Sequence, residues 1–224
     1  MSRVVQVAAA RGSQKWLQIL VNRHPAQINH YLAHTLELRD SEGIEWRAPL
    51  ENDDYAEYRD QAFLDRLGVP AESADMKAFW PTLGPQWDGL AKTDQGRLVL
   101  LEAKAHISEM CSTPTRAKGK SQALIHASLD ETKQFLGSRA KVDWSACFYQ
   151  YTNRLAHLYF LREKAHLPAY LLLIYFLNDH DMRGPTTEAE WRGAIKLTET
   201  FLGLRRHPLS RYILHAFFDV ETLK

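Results

Sequence analysis

Cysteine is scarce: Cys111 and Cys147 are the only two in 224 residues. Two such positions make neither a disulfide framework nor a CxxC metal pattern, which points to a reducing, cytoplasmic setting. Both are expected as small buried apolar residues. Long apolar runs are missing too. The longest, 167–177, falls well short of the roughly 20 residues that a membrane-crossing helix needs. The opening MSRVVQVAAARGSQ is too short and too interrupted to read as an export signal. Nor is there an excess of one charge, since 28 Lys and Arg face 27 Asp and Glu for a formal net charge of +1. A molecule coated in positive potential is excluded, so any contact with DNA has to come from local basic patches. No repeat, low-complexity tract or interdomain linker is visible.

What the chain does have is 45% apolar content, enough for one large domain spanning 1–224 with a substantial interior. Trp16, Leu17, Leu20, Ile28, Tyr31 and Leu32 recur at helical spacing over 13–36, and Pro25 should divide that stretch. An extended segment is expected at 44–50, and a helix at 54–67, capped by Asn52 or Asp53 and stopped by Gly68 and Pro70. Asp94-Gln-Gly96 reads as a hairpin turn. Beyond it come a small-residue basic loop, CSTPTRAKGKSQ, and helices over 122–136 and 144–162. A doubly buried strand over 168–177, a helix over 187–202 with Thr186 or Thr187 as its cap, and a strand over 212–220 complete the reading.

The chemistry concentrates in WDGLAKTDQGRLVLLEAK, residues 87–104. On a strand, Leu98, Leu100, Glu102 and Lys104 share one face, while Val99, Leu101 and Ala103 share the other. An apolar row thus turns into a pair of opposite charges at the strand's C-terminal end, where open α/β sheets hold ligands. The preceding strand brings Asp88. An acid-x-Lys pattern also occurs at Asp75-Met-Lys77 and Glu131-Thr-Lys133, but there in polar, helix-like surroundings with no leucine run before it.

With Asp88, Glu102 and Lys104 in this order around a hairpin, the chain resembles the PD-(D/E)XK nuclease superfamily. Gln86 and Trp87 separate Pro85 from Asp88, so the literal Pro-Asp pair is absent. The resemblance spans about 50–180 and implies an α/β fold: a restriction-endonuclease-like core with a central mixed β-sheet flanked by helices. To this core would be added an N-terminal helical cap over 13–36 and a C-terminal helix–strand extension over 186–224. It also implies a divalent-metal-dependent nuclease, acting on DNA with Mg²⁺ or Mn²⁺.

In that scheme Asp88 and Glu102 supply hard oxygen ligands, together with the Ala103 backbone carbonyl. Lys104 orients the attacking water and offsets transition-state charge. Glu57, on the helix expected at 54–67, is the third acid, or else one of several solvated acids on that helix. Gln150 and Arg154, within a polar stripe that includes Asn153 and His157, are candidates to hold phosphate, or simply mark an amphipathic face. Arg116, Lys118 and Lys120 are placed on a basic loop that either grips phosphates or is merely solvated. His106 adjoins the site, whereas His30 and His34 are expected as a surface pair. Cutting both strands of a duplex would favour a homodimer. The alternatives are a non-catalytic nucleic-acid-binding or interaction module on the same fold, and an unrelated α/β protein with an accidental triad.

Overall fold

Proline cannot sit inside a helix that needs its N–H, but it can start one. The computed structural model, which describes residues 2–39 and 42–224, accordingly breaks the N-terminal stretch into two helices. After a two-residue strand, β1 (Arg3–Val4), come α1 (Gly12–Arg23) and α2 (Pro25–Thr35), with Pro25 as the first residue of the second. Trp16, Leu17, Leu20 and Val21 are buried with Ile28 and Leu32. The Trp16 indole N–H donates to the buried Asp179 carboxylate at 2.8 Å, tying α1 to a point 163 residues away.

The centre is a five-stranded mixed sheet in the order β2 (Ile44–Ala48), β4 (Gly89–Thr93), β5 (Leu98–Lys104), β6 (Ala169–Leu177), β7 (Ile213–Asp219). The remaining strand, β3 (Glu57–Tyr58), pairs with β1. Neighbours run antiparallel from β2 to β5 and parallel from β5 to β7. The β4–β5 hairpin closes at Gly96, whose φ of 79° suits glycine. Parallel neighbours need long crossovers. The first uses α4 (Gly119–Phe135) and α5 (Tyr149–Tyr159), the latter extended by a π-helical turn over Phe160–Lys164. The second uses α6 (Glu188–Phe201), where Thr187 and Glu190 form a reciprocal capping box.

The strand alternation expected for β5 is observed. Leu98 and Leu100 join Leu171, Leu173 and Tyr175 in the core under α4, α5 and α6, whereas Val99, Leu101 and Ala103 join Leu172, Ile174 and Phe176 under α1 and α2. With helices on both faces, β5 and β6 are almost wholly apolar. At the outer strands, side chains claim backbone carbonyls. Tyr31 Oη donates to His215 O at 2.9 Å on β7, and Arg66 Nε to Arg47 O at 2.8 Å, where β2 is bulged. Among the described residues no helix is long and apolar enough to cross a membrane.

Four expectations need correction. The helix expected over 54–67 survives only as α3 (Gln61–Arg66). Asp54, Tyr55 and Asp60 adopt left-handed φ values of 52°, 47° and 54°, and Glu57–Tyr58 is taken into sheet pairing by Arg3–Val4 and by a bridge from Tyr58 to Trp87. The helix expected from 144 begins only at Tyr149, because Phe148 is left-handed at φ 52°. The helix expected from 122 begins at Gly119, so Lys120 lies in its first turn and not in a loop. Cys111 is exposed and Cys147 half-buried, both unpaired, because they fall in irregular segments and not in core strands.

Gly184 is packed so tightly on the end of β5 that a Cβ there would lie inside the van der Waals envelope of the Ala105 carbonyl oxygen. Gly184→Ala should therefore lower the free energy of unfolding by about 1–3 kcal/mol, read as a lower urea midpoint at unchanged slope.

Candidate functional site

The site lies where the hairpin's register stops. Gly89 pairs with Leu101, and one residue further the same register sets Asp88 across from Glu102. There the ladder gives way to a side chain: Asp88 Oδ2 accepts the Ala103 N–H at 2.9 Å. An extended residue directs its N–H and C=O to the same flank, so the Ala103 carbonyl faces the Asp88 edge. Glu102 and Lys104 follow Leu98 and Leu100 on the face covered by α5. The Lys104 ammonium bonds the Glu102 Oε1 and, at 2.8 Å, Gln150 Oε1 from the first turn of α5.

Arg154 comes from one turn further along α5. Its Nε and Nη2 reach Glu102 Oε2 at 2.8 and 2.5 Å, and Nη2 also donates to the Gln86 carbonyl at 2.6 Å. The guanidinium lies over the Trp87 ring, 4.6 Å from its centroid. Only 3% of Arg154 and 3% of Glu102 is exposed. The polar stripe on α5 is thus a buried one, and its His157 is held down to about 3 by burial, which keeps it a neutral donor to the Asn153 carbonyl.

Glu57 reaches the same region from β3. Gln14 Nε2 of α1 donates to its Oε1 at 3.1 Å, and the Gln86 side-chain amide donates to its Oε2. Three carboxylates therefore share a neighbourhood with two fixed cations, and the acids respond differently. Burial, then the charges of Glu102 and Glu57, push Asp88 well above the usual carboxylate range. Burial also raises Glu57, against the pull of Gln86 and Gln14. Burial would raise Glu102 as well, but Arg154 and Lys104 outweigh it and hold the group below its ordinary value.

Glu57, Gln86, Asp88, Gln150 and Arg154 line an open cleft of about 680 Å³, together with Arg116 among others, whereas Glu102 and Lys104 line a separate small pocket of about 30 Å³ that shares Gln150 with it. Comparison with family models, with curated proteins and with solved structures finds no match. The site therefore rests on its own geometry.

Of the residues singled out from sequence, Asp88, Glu102, Lys104, Gln150 and Arg154 are brought together, Glu57 joins them from a strand, and Arg116 reaches the cleft wall. Lys118 and Lys120 stay exposed at the start of α4, outside the lining. His106 turns to Ser108 and Glu109, and His30 and His34 are exposed on α2. Sequence reasoning passed over Gln14, Gln86 and Trp87 as site residues. The signal for the last two was their insertion between Pro85 and Asp88, whereas nothing in the sequence linked Gln14 to Glu57.

The donor set fits a hard divalent cation. Arg154 and Lys104 use three of the four lone-pair positions of Glu102, and Asp88 Oδ1 has no partner among the described residues. Charge also fits, with one more carboxylate than cation. Among the described residues no three His, Cys, Asp or Glu side chains already form a tight ligand group. Such an ion would therefore be held first by Asp88 and Glu102, with Glu57 tethered alongside by amide donors that include Gln14 and Gln86.

Two outcomes follow from the electrostatics. Arg154→Met should destabilise the protein by about 3–5 kcal/mol at neutral pH, since it leaves Glu102 buried without its main counter-charge. A depressed carboxylate contributes stability above its unfolded pKa and loses it as pH falls through the folded value, so the difference from wild type should shrink in acid. Asp88→Asn keeps an acceptor for Ala103 and removes a carboxylate that burial disfavours, so it should raise the thermal midpoint at neutral pH. That gain should fade as pH falls through the raised Asp88 value, where the wild-type folded state takes up its proton. A thermal midpoint for Asp88→Asn at or below wild type at pH 7 would contradict this account.

Proposed function

We propose that this protein is a divalent-metal-dependent nuclease of PD-(D/E)XK type that hydrolyses phosphodiester bonds in DNA, on a restriction-endonuclease-like core. The observation that carries the proposal is the convergence of Asp88, Glu102 and Lys104 at the end of β5, with Asp88 on the wall of an open cleft, in the order in which the resembling superfamily places its two acids and lysine. Mg²⁺ or Mn²⁺ bound there would supply a Lewis acid and a source of nucleophilic water. Asp88, Glu102 and the Ala103 carbonyl would hold the ion. Glu102 and Gln150 keep the Lys104 ammonium at the strand end, where it can orient a water and offset charge developing on the phosphate. Arg116 and Gln150 offer polar contacts to the DNA backbone along the cleft. The unpaired cysteines suit a cytoplasmic setting, and cutting a duplex would call for two copies.

One observation favours a second reading, a nucleic-acid-binding module without cleavage: Arg154 already neutralises Glu102 from within the protein. The two readings separate on supercoiled, linear and single-stranded DNA incubated with Mg²⁺ or Mn²⁺. Cleavage by the wild type should fall on the order of 10²–10³-fold in Lys104→Ala, with DNA affinity largely retained. Binding without cleavage under every condition would leave the second reading.

A further inference from the structure

Gln86 occupies the place where the Pro-Asp pair of the resembling family is interrupted, and it makes two contacts in opposite directions. Its side-chain amide donates to Glu57 Oε2, while its backbone carbonyl accepts from Arg154 Nη2 at 2.6 Å. Arg154 in turn holds Glu102 through Nε and Nη2. One residue thereby spans the gap between β3 and α5, whose Glu57 and Arg154 are joined through Gln86. Glu57 needs such a fixture, because it stands on a strand of two residues; its further amide partners come from the N-terminal segment, Gln14 of α1 at 3.1 Å and Gln6. Without amide donors a buried carboxylate facing two other acids would rotate away or protonate. Trp87, the second inserted residue, packs beneath the Arg154 guanidinium and so fixes the same cation from its other side.

We propose that Gln86 is a positioning residue of the acidic site: its amide aims the Glu57 carboxylate at Asp88 and Glu102, while its carbonyl keeps Arg154 in register with Glu102. The inference rests on the nuclease reading above. It assigns a role to the inserted dipeptide and makes Glu57 a member of the ion-binding set by virtue of Gln86. Partners that orient metal ligands in this way typically change metal affinity by about 10–100-fold when removed.

The test is Mn²⁺ affinity of the full chain, followed by electron paramagnetic resonance, with urea midpoints as the folding control. Gln86→Met keeps side-chain length and the backbone carbonyl but removes the amide, and should weaken Mn²⁺ binding about 10–100-fold. In a Glu57→Gln background the same change should have almost no further effect, because its target carboxylate is gone. Should Gln86→Met fold poorly, Gln14→Ala removes another donor from the same carboxylate and should weaken binding in the same Glu57-dependent way. Unchanged affinity in the well-folded variants, or an equal loss with Glu57 already replaced, overturns the inference and leaves the nuclease reading intact. Wild-type protein that neither binds Mn²⁺ nor cleaves DNA overturns both.

Discussion

A carboxylate that stays ionised when buried as deeply as Glu102 needs charge of the opposite sign beside it, and at the end of β5 that condition joins Glu102 to Arg154. The pair decides how α5 lies on the sheet. To reach Glu102 with two nitrogens, α5 must cross the C-terminal end of β5 with its polar stripe facing inward, and this also brings Gln150 onto Lys104. The guanidinium then has to be supported from below, which the Trp87 ring does. Trp87, Asp88 and the start of β4 are thereby drawn to the same corner. A single ion pair thus coordinates a helix, a hairpin and the mouth of the cleft.

The same corner shows why overall composition is a poor guide to chemistry. The chain is nearly neutral, yet within it two cations and three acids sit close enough that the acids are shifted in opposite directions. Glu102 is held ionised by two cations and Asp88 is pushed toward its neutral form, although the two residues lie across one step of the same hairpin. Fields that matter for a bound ion or phosphate are set over a few ångströms, where protein screens weakly.

Much of this was legible in advance because it depends on short-range regularities. Period-two alternation placed Glu102 and Lys104 on the face of Leu98 and Leu100, Pro25 divided the N-terminal helices, Asp94-Gln-Gly96 closed the hairpin, and Thr187, one of two candidate caps, opened α6. What was not legible depends on distant pairing. Glu57 was expected on a helix because Asn52 or Asp53 offered a cap, Gly68 and Pro70 a stop, and the resembling superfamily an acid at that place, but Arg3–Val4, more than 50 positions earlier, claims it as a strand. Gln14 is recruited to Glu57 only because α1 packs against the opposite face of the sheet. The stripe on α5 was readable as a stripe, but whether it faced water or a buried acid depended on Glu102, 52 positions away. Lys120 shifted from loop to helix because Gly119 takes a left-handed φ of 58° and still begins α4.

The claimed carbonyls on the two outermost strands have a consequence for assembly. A free strand edge invites another chain to extend the sheet, but β7 has a mid-strand carbonyl engaged by Tyr31, and β2 is bent by its bulge with Arg66 bound at that point. One backbone acceptor on each outer strand is thus already taken by a side chain of the same chain, and each edge offers an added strand one partner fewer.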